Sequence, residues 1–206
     1  MKILQTIKKL FGSILFDNDI LHEGIKILHI TDTPTTGFNE ILKLIKKIKP
    51  DYIIHTGDLA DNIKLEIYPE KLDLYKMKVK KFILALDAFD CIKYIVIGNH
   101  DDLNFIKDTV KSTNIIETID QINICDKTFL LSHKLEDVFK LDALLSTSNY
   151  ILHGHSYYDE VIVGNGKVLN GLDYIYLIYP EKNEIYGINY PIGTNDSRMQ
   201  RYGVGI

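Results

Sequence analysis

The chain has 206 residues, 46% apolar and 25% charged, a composition that fits one folded domain with a sizeable core and excludes a disordered segment. Its formal net charge is -4, with Lys and Arg interspersed among Asp and Glu, so there is no basic footprint for duplex nucleic acid. Cys91 and Cys125 stand far apart with no CxxC pair, which argues against a disulfide framework or a thiolate zinc site and leaves two core cysteines in a reducing compartment.

Residues 1–16 place Ile3, Leu4, Ile7, Leu10, Phe11 and Ile14 on one helical face, with Lys2, Lys8 and Lys9 elsewhere. This predicts a short amphipathic helix that packs on the domain or on a second subunit, giving a homo-oligomer contact, or else lies on a membrane surface. Lys8 and Lys9 interrupt the continuity that a signal peptide needs, and no apolar run approaches the ~20 residues of a bilayer crossing. A cytoplasmic location is therefore expected. The predicted organisation is a helical extension over residues 1–24 and one domain over 25–206.

Ile25 to Thr31 is an apolar run ending at Asp32, with Thr35 and Thr36 as helix starters, which reads as a strand-to-helix turn. Phe38, Ile41, Leu42, Ile45 and Ile48 follow at helical spacing up to Pro50, and then comes the strand Tyr52 to His55. A long helical region from about Pro69 to Phe89 leads to the strand Ile92 to Ile97 and the loop Gly98 to Asp102. The order βαβαβ predicts an α/β fold with parallel strands. Beyond Asn114 the expected elements are short: strands over Ile115 to Cys125 and Thr128 to Ser132, a helix near Glu136 to Ser146, and a strand Tyr150 to Leu152. The remainder reads as hairpins, with Asn165-Gly166 turning between Val161 to Val163 and Lys167 to Leu169, and Tyr174 to Tyr179 preceding the turn Pro180 to Asn183.

In such sheets the loops that leave the carboxyl ends of the strands converge on one crevice. Here those loops carry Asp32; Gly57, Asp58 and Asp61; Gly98, Asn99, His100 and Asp101; His133; and His153, Gly154 and His155. Each alone is explained as a helix cap, a turn residue or a satisfied interior histidine. Together, oxygen and nitrogen donors converging without cysteine suit a divalent metal centre.

Asp32-Thr33-Pro34, Gly57-Asp58-Leu59-Ala60-Asp61, Gly98-Asn99-His100-Asp101, Ser132-His133 and Gly154-His155-Ser156-Tyr157 occur in that order. Over roughly Ile25 to Tyr157 the chain thereby resembles the calcineurin-like metallophosphoesterases, particularly their small single-domain phosphodiesterase members. The family's blocks are DxH, GDxxD, GNHD or GNHE, a strand-ending histidine and GHxH. The resemblance implies a four-layer α-β-β-α sandwich with a metal site at the strand ends. It also implies phosphate-ester hydrolysis by metal-activated water.

By the same resemblance, one metal would take Asp58, Asn99, His133 and His155, a complete set, and the other would take Asp32 and the shared Asp58. Two histidines of the latter position are replaced, by Pro34 and Tyr157. Proline has no donor, and a tyrosine hydroxyl is a poor ligand unless the metal removes its proton. What remains there is oxygen-rich, with Tyr157 or Asp159 as further donors, and suits Mg²⁺, Mn²⁺ or Ca²⁺. The expectation is one firm site and a second that is weak or absent. Mn²⁺ is the favoured ion, and Fe, Zn, Ni or Mg are alternatives. His100, oriented by Asp101, would protonate the leaving group. Asn99 and His100 would contact the substrate, and Asp61 would orient its loop or a ligand.

Arg198 and Arg201 read as solvated terminal charges, with a grip on a substrate phosphate as the alternative. His22, His29 and His55 read as structural. The competing function is a metallophosphoesterase-fold binding or scaffold protein with weakened or no catalysis. A structural zinc module fits poorly, because its ligands would be cysteine-rich and local.

Overall fold

Successive side chains of a strand point to opposite faces of its sheet, and this alternation sorts the core of the computed structural model, which describes residues 13–156 and 166–199, into layers. In β1 (Ile27–Ile30), Leu28 and Ile30 join one apolar cluster and Ile27 joins another. The same division holds for Ile53 against Ile54 in β2 (Tyr52–His55) and for Ile95 against Val96 in β3 (Ile92–Val96). The first cluster is covered by α1 (Phe38–Ile48) and α2 (Leu72–Asp87), through Phe38, Ile41, Leu44 and Ile45 on one and Tyr75, Val79, Phe82 and Ile83 on the other.

The second cluster lies between two sheets. Ile27, Ile54 and Val96 meet Phe129 and Leu131 of β6 (Lys127–Ser132) and Tyr150 and Leu152 of β7 (Tyr150–His153). On the far side of the second sheet, Leu130 and Ile151 pack with Leu135, Val138 and Leu145 from the short helices α4 (Leu135–Val138) and α5 (Asp142–Thr147). A further short helix, α3 (Leu103–Thr109), follows β3. The layers therefore run helix, sheet, sheet, helix, as the resemblance implied.

The first sheet has the order β10-β9-β1-β2-β3-β4, completed by β4 (Thr113–Ile116), β9 (Ile175–Tyr179) and β10 (Glu184–Ile188). β1 through β4 are mutually parallel, with Ile27 opposite Tyr52 and Tyr52 opposite Ile92, while β9 and β10 add antiparallel neighbours. The second sheet has the order β5-β6-β7-β8, with β5 (Ile119–Ile124) antiparallel to β6 and β8 (Lys167–Asn170) parallel to β7. Parallel strands bring all their carboxyl-end loops to one edge, so β1, β2, β3, β6 and β7 discharge their polar residues together.

Several local expectations change. The predicted helix over 136–146 is two short helices, α4 and α5, separated by residues 139–141. β8 pairs with β7 in parallel; residues 161–163 and Asn165 of the predicted hairpin lie outside the described residues. Residues 13–16 are not helical, and the rest of the predicted N-terminal helix lies outside the described residues. α1 does end before Pro50 as predicted, capped by Lys49 at φ 52, whose N–H reaches the Ile45 carbonyl. Among the described residues no helix is long and apolar enough to cross a membrane.

Candidate metal centre

The backbone is bent hard where the strands end. Asp32 (φ 44), Asp58 (φ 56) and His155 (φ 68) all adopt the left-handed conformation that side chains other than glycine's rarely take. Gly57 (φ 100) precedes Asp58, and a Cβ there would lie 2.5 Å from His133 Nδ1. At Gly98 a Cβ would run into the Asp58 carboxylate and amide. The two glycines of the GD and GN pairs are thus required by close approach of neighbouring loops.

Asp101 fixes these loops to one another. Its Oδ2 accepts the amides of Asp58 (2.8 Å) and Gly98 (2.9 Å), and its Oδ1 accepts the Leu59 amide (2.9 Å) and the Tyr75 hydroxyl (2.7 Å). This corrects the expectation that Asp101 orients the His100 ring, since its carboxylate is taken up by the backbone of two loops. The group that contacts His100 Nδ1 is the Glu66 amide, which donates to it at 3.3 Å. His100 Nε2 in turn lies 3.3 Å from the Asn99 amide nitrogen.

Asp58 lies between the loops with 1% exposure. Its Oδ1 accepts the His100 amide at 2.8 Å, and its Oδ2 is 3.4 Å from His133 Nε2. His133 Nδ1 donates to the Thr56 carbonyl at 2.7 Å, which turns Nε2 toward Asp58 and toward Asn99 Oδ1, 3.0 Å away. The Asn99 amide nitrogen is held by the Glu66 carboxylate at 2.5 Å. Asp58, His133 and His155 bring ligand atoms within 4.8 Å of one another, as do Asp58, Asp61 and His100.

This donor set fits a divalent cation for a reason visible in the geometry. His133 Nε2 faces two acceptors, a carboxylate and an amide oxygen, which calls for a positive charge between them. Burial disfavours charge on His133, but the Asp58 carboxylate overrides it and raises the imidazole to about 10, so a proton holds the place of a cation. For Asp58, burial is overcome by the pull of His133 and His100, and its pKa falls well below the usual carboxylate range.

The other position differs. Asp32 Oδ2 accepts the Thr31 hydroxyl at 2.6 Å and the His155 amide at 3.1 Å, and Asp32 joins none of the ligand groups found among the described residues. Pro34 is buried and its carbonyl accepts the Gly37 amide at 2.8 Å, forming the turn into α1. Tyr157, Asp159 and Arg201 lie outside the described residues. Asp61 is buried with Lys64 at 2.5 Å; burial and the charges of Asp32 and Asp58 push its carboxyl up to about 7 against the pull of Lys64.

Arg198, expected to be solvated, is only 6% exposed. Its guanidinium donates to the carbonyls of Asp32 (2.8 Å), Thr31 (3.0 Å) and Leu172 (3.1 Å) and stacks over Tyr190, 4.2 Å from the ring centre. It braces the Asp32 loop from α6 (Thr194–Met199). His29 and His55 bond the Thr56 and Thr33 hydroxyls at 2.9 Å beneath the site and are held neutral, chiefly by burial.

Glu66, Lys64 and Tyr75 were not anticipated from the sequence. For Lys64 a signal exists in its spacing of three from Asp61. Glu66 and Tyr75 reach the site across 33 and 26 residues of chain and carry no motif.

Comparison with solved structures finds the same fold elsewhere. A novel archaeal phosphodiesterase superposes with a TM-score of 0.58 at 16% identity, over 80% of this chain and 100% of that one. A phosphoesterase from E. coli gives 0.52 at 13% identity, over 81% and 100%. A protein from Thermus thermophilus gives 0.50 at 10% identity, over 82% and 99%. No curated protein sequence matches significantly. The sequence pattern of the calcineurin-like phosphoesterases matches residues 25–204, and with these loops in this arrangement the chain belongs to that family.

Proposed function

We propose that the chain hydrolyses a phosphate ester, a diester in preference to a monoester, with one firmly held divalent ion, Mn²⁺ first among the candidates, at Asp58, Asn99, His133 and His155. The observation that carries this reading is the facing of His133 Nε2 by Asp58 Oδ2 at 3.4 Å and Asn99 Oδ1 at 3.0 Å. A divalent ion bound there would supply Lewis acidity, drawing charge from a phosphoryl oxygen and lowering the pKa of a water beside it. The preference for diesters is supported by the fold shared with a protein described as an archaeal phosphodiesterase.

The chain's own groups supply the rest. Glu66 holds the Asn99 amide nitrogen and so keeps Oδ1 turned toward the ligand set. His100, 6% exposed and within reach of Asp58 and Asp61, offers the proton for the leaving oxygen as its bond to phosphorus breaks. Burial lowers the His100 pKa, against the pull of Asp58, which makes the protonated ring a readier donor. When the ring is doubly protonated, the Glu66 carboxylate, 3.9 Å from Nδ1, is the nearby counter-charge.

The test compares wild type with His100→Ala on a chromogenic diester and monoester with added Mn²⁺, with metal counted in both. The expected result is one ion per chain in each protein and a turnover lower by ~10²- to 10⁴-fold in the variant. Unchanged turnover would remove His100 from the mechanism. A folded, metal-loaded wild type without turnover on either ester would instead favour the binding-protein reading.

A further inference from the structure

We propose that the Lys64 ammonium is a resident cation that binds the substrate's phosphoryl group on the Asp32 side of the site, where the family's other metal would stand. This rests on the hydrolase reading above and adds to it the group that completes the anion clamp.

Lys64 follows the tight turn Asp61–Ile63 and takes the left-handed conformation at φ 54, with its N–H on the Asp61 carbonyl. That bend starts the side chain back over the carboxylate it pairs with, and only 15% of the side chain is exposed. It shares the lining of a cavity of about 480 Å³ with Asp32, Asp61, His155 and Arg198. The cavity therefore borders both the ligand His155 and the carboxylate Asp32.

An ammonium has three donors, and Asp61 Oδ1 takes one of those on Lys64. Arg198, the other cation of the cavity among the described residues, is engaged by three backbone carbonyls and Asn195. Among the described residues Lys64 keeps two donors for a bound anion, against one on Arg198 Nη2. Charge matching supports the same assignment. Asp32, Asp58 and Asp61 are buried at 4%, 1% and 1% exposure. One divalent ion and one ammonium match these three carboxylates charge for charge. A second divalent ion would leave an excess of two positive charges beside the buried Arg198 guanidinium, which costs desolvation without a partner. With the Arg198 guanidinium of the same cavity counted, one ion and one ammonium leave a single positive charge, which a monoanionic diester would neutralise.

The experiment titrates inorganic phosphate into the Mn²⁺-loaded protein by calorimetry and counts bound Mn²⁺, for wild type, Lys64→Gln, Lys64→Arg and the double variant Asp61→Asn/Lys64→Gln. The double variant leaves no unpaired buried carboxylate at position 61, so it separates a lost ligand from a lost fold. Expected are one tight ion per chain throughout, phosphate binding weaker by about ten- to a hundredfold in both Gln variants, and partial retention in Lys64→Arg. Wild-type phosphate affinity in the double variant, two tight ions per wild-type chain, or no phosphate binding by wild type would each overturn the proposal. Phosphate binding without turnover on any ester would instead count against the hydrolase reading alone.

Discussion

The two halves of the site are built from the same kinds of loop and have opposite characters. Around Asp58 the loops bring together a carboxylate, an amide oxygen and two imidazoles. Around Asp32 the corresponding imidazole position of the first loop is a buried turn proline, and the nearby charges are Lys64 and Arg198. Loops at parallel strand ends thus vary independently while the strands hold their spacing, and the proposed assignment of one ion and one ammonium builds on that independence.

The largest expected effect comes from removing the group common to both halves. Asp58→Ala should take bound Mn²⁺ from one per chain to none and leave no measurable turnover, as elemental analysis and assay of the same preparation would show. Retention of the ion would mean that the Asp32 side is the real site.

Stability comes next. Asp101→Ala strips acceptors from three amides and a tyrosine hydroxyl at once. At ~1–3 kcal/mol for each buried group left unsatisfied, a loss of about 3 kcal/mol or more is expected in urea unfolding. An unchanged midpoint would show that the loops hold their shape without it.

The effect of pH separates the halves by the window in which it acts. His133 is raised to about 10 and Asp61 to about 7. Each contributes stability that is present below its unfolded value and lost as pH rises through the raised one, so the metal-free protein should lose stability between about pH 4 and 7 on account of Asp61, and between about 6.5 and 10 on account of His133. Binding of an ion displaces the His133 proton. The rise in Tm produced by Mn²⁺ should therefore grow as pH increases from about 6 to 9, and a rise that shrinks over that range would contradict the assignment of His133 as a ligand.

The smallest effect is expected from restoring what the first loop lacks. Pro34→His puts an imidazole in the position that the family uses, without removing an N–H bond, since proline has none. A second, weaker Mn²⁺ should then be detectable by calorimetry, and its absence would indicate that Lys64 and Arg198 repel it.

The layers and the ligand loops were legible because their signals are local. Apolar alternation marks strands such as β2 and β3, and blocks such as GNHD are contiguous. What the sequence concealed depends on distant pairing. Nothing near Asp101 shows that it will bind Asp58 and Leu59 rather than the adjacent His100, and nothing near Arg198 shows that it will be buried against a loop 166 residues earlier. The split of residues 136–146 into α4 and α5 was hidden for another reason: the helical spacing of Leu135, Val138 and Leu145 is continuous enough to read as one helix.

The bond from Arg198 to the Asp32 carbonyl ties the first loop of the sheet to a helix of six residues. A helix in a folded domain is held mostly by what it touches. Its fraying would withdraw the guanidinium from Thr31, Asp32 and Leu172 together, so exchange of the amides in α6 and loosening of the loop that carries Asp32 are two readouts of one opening equilibrium.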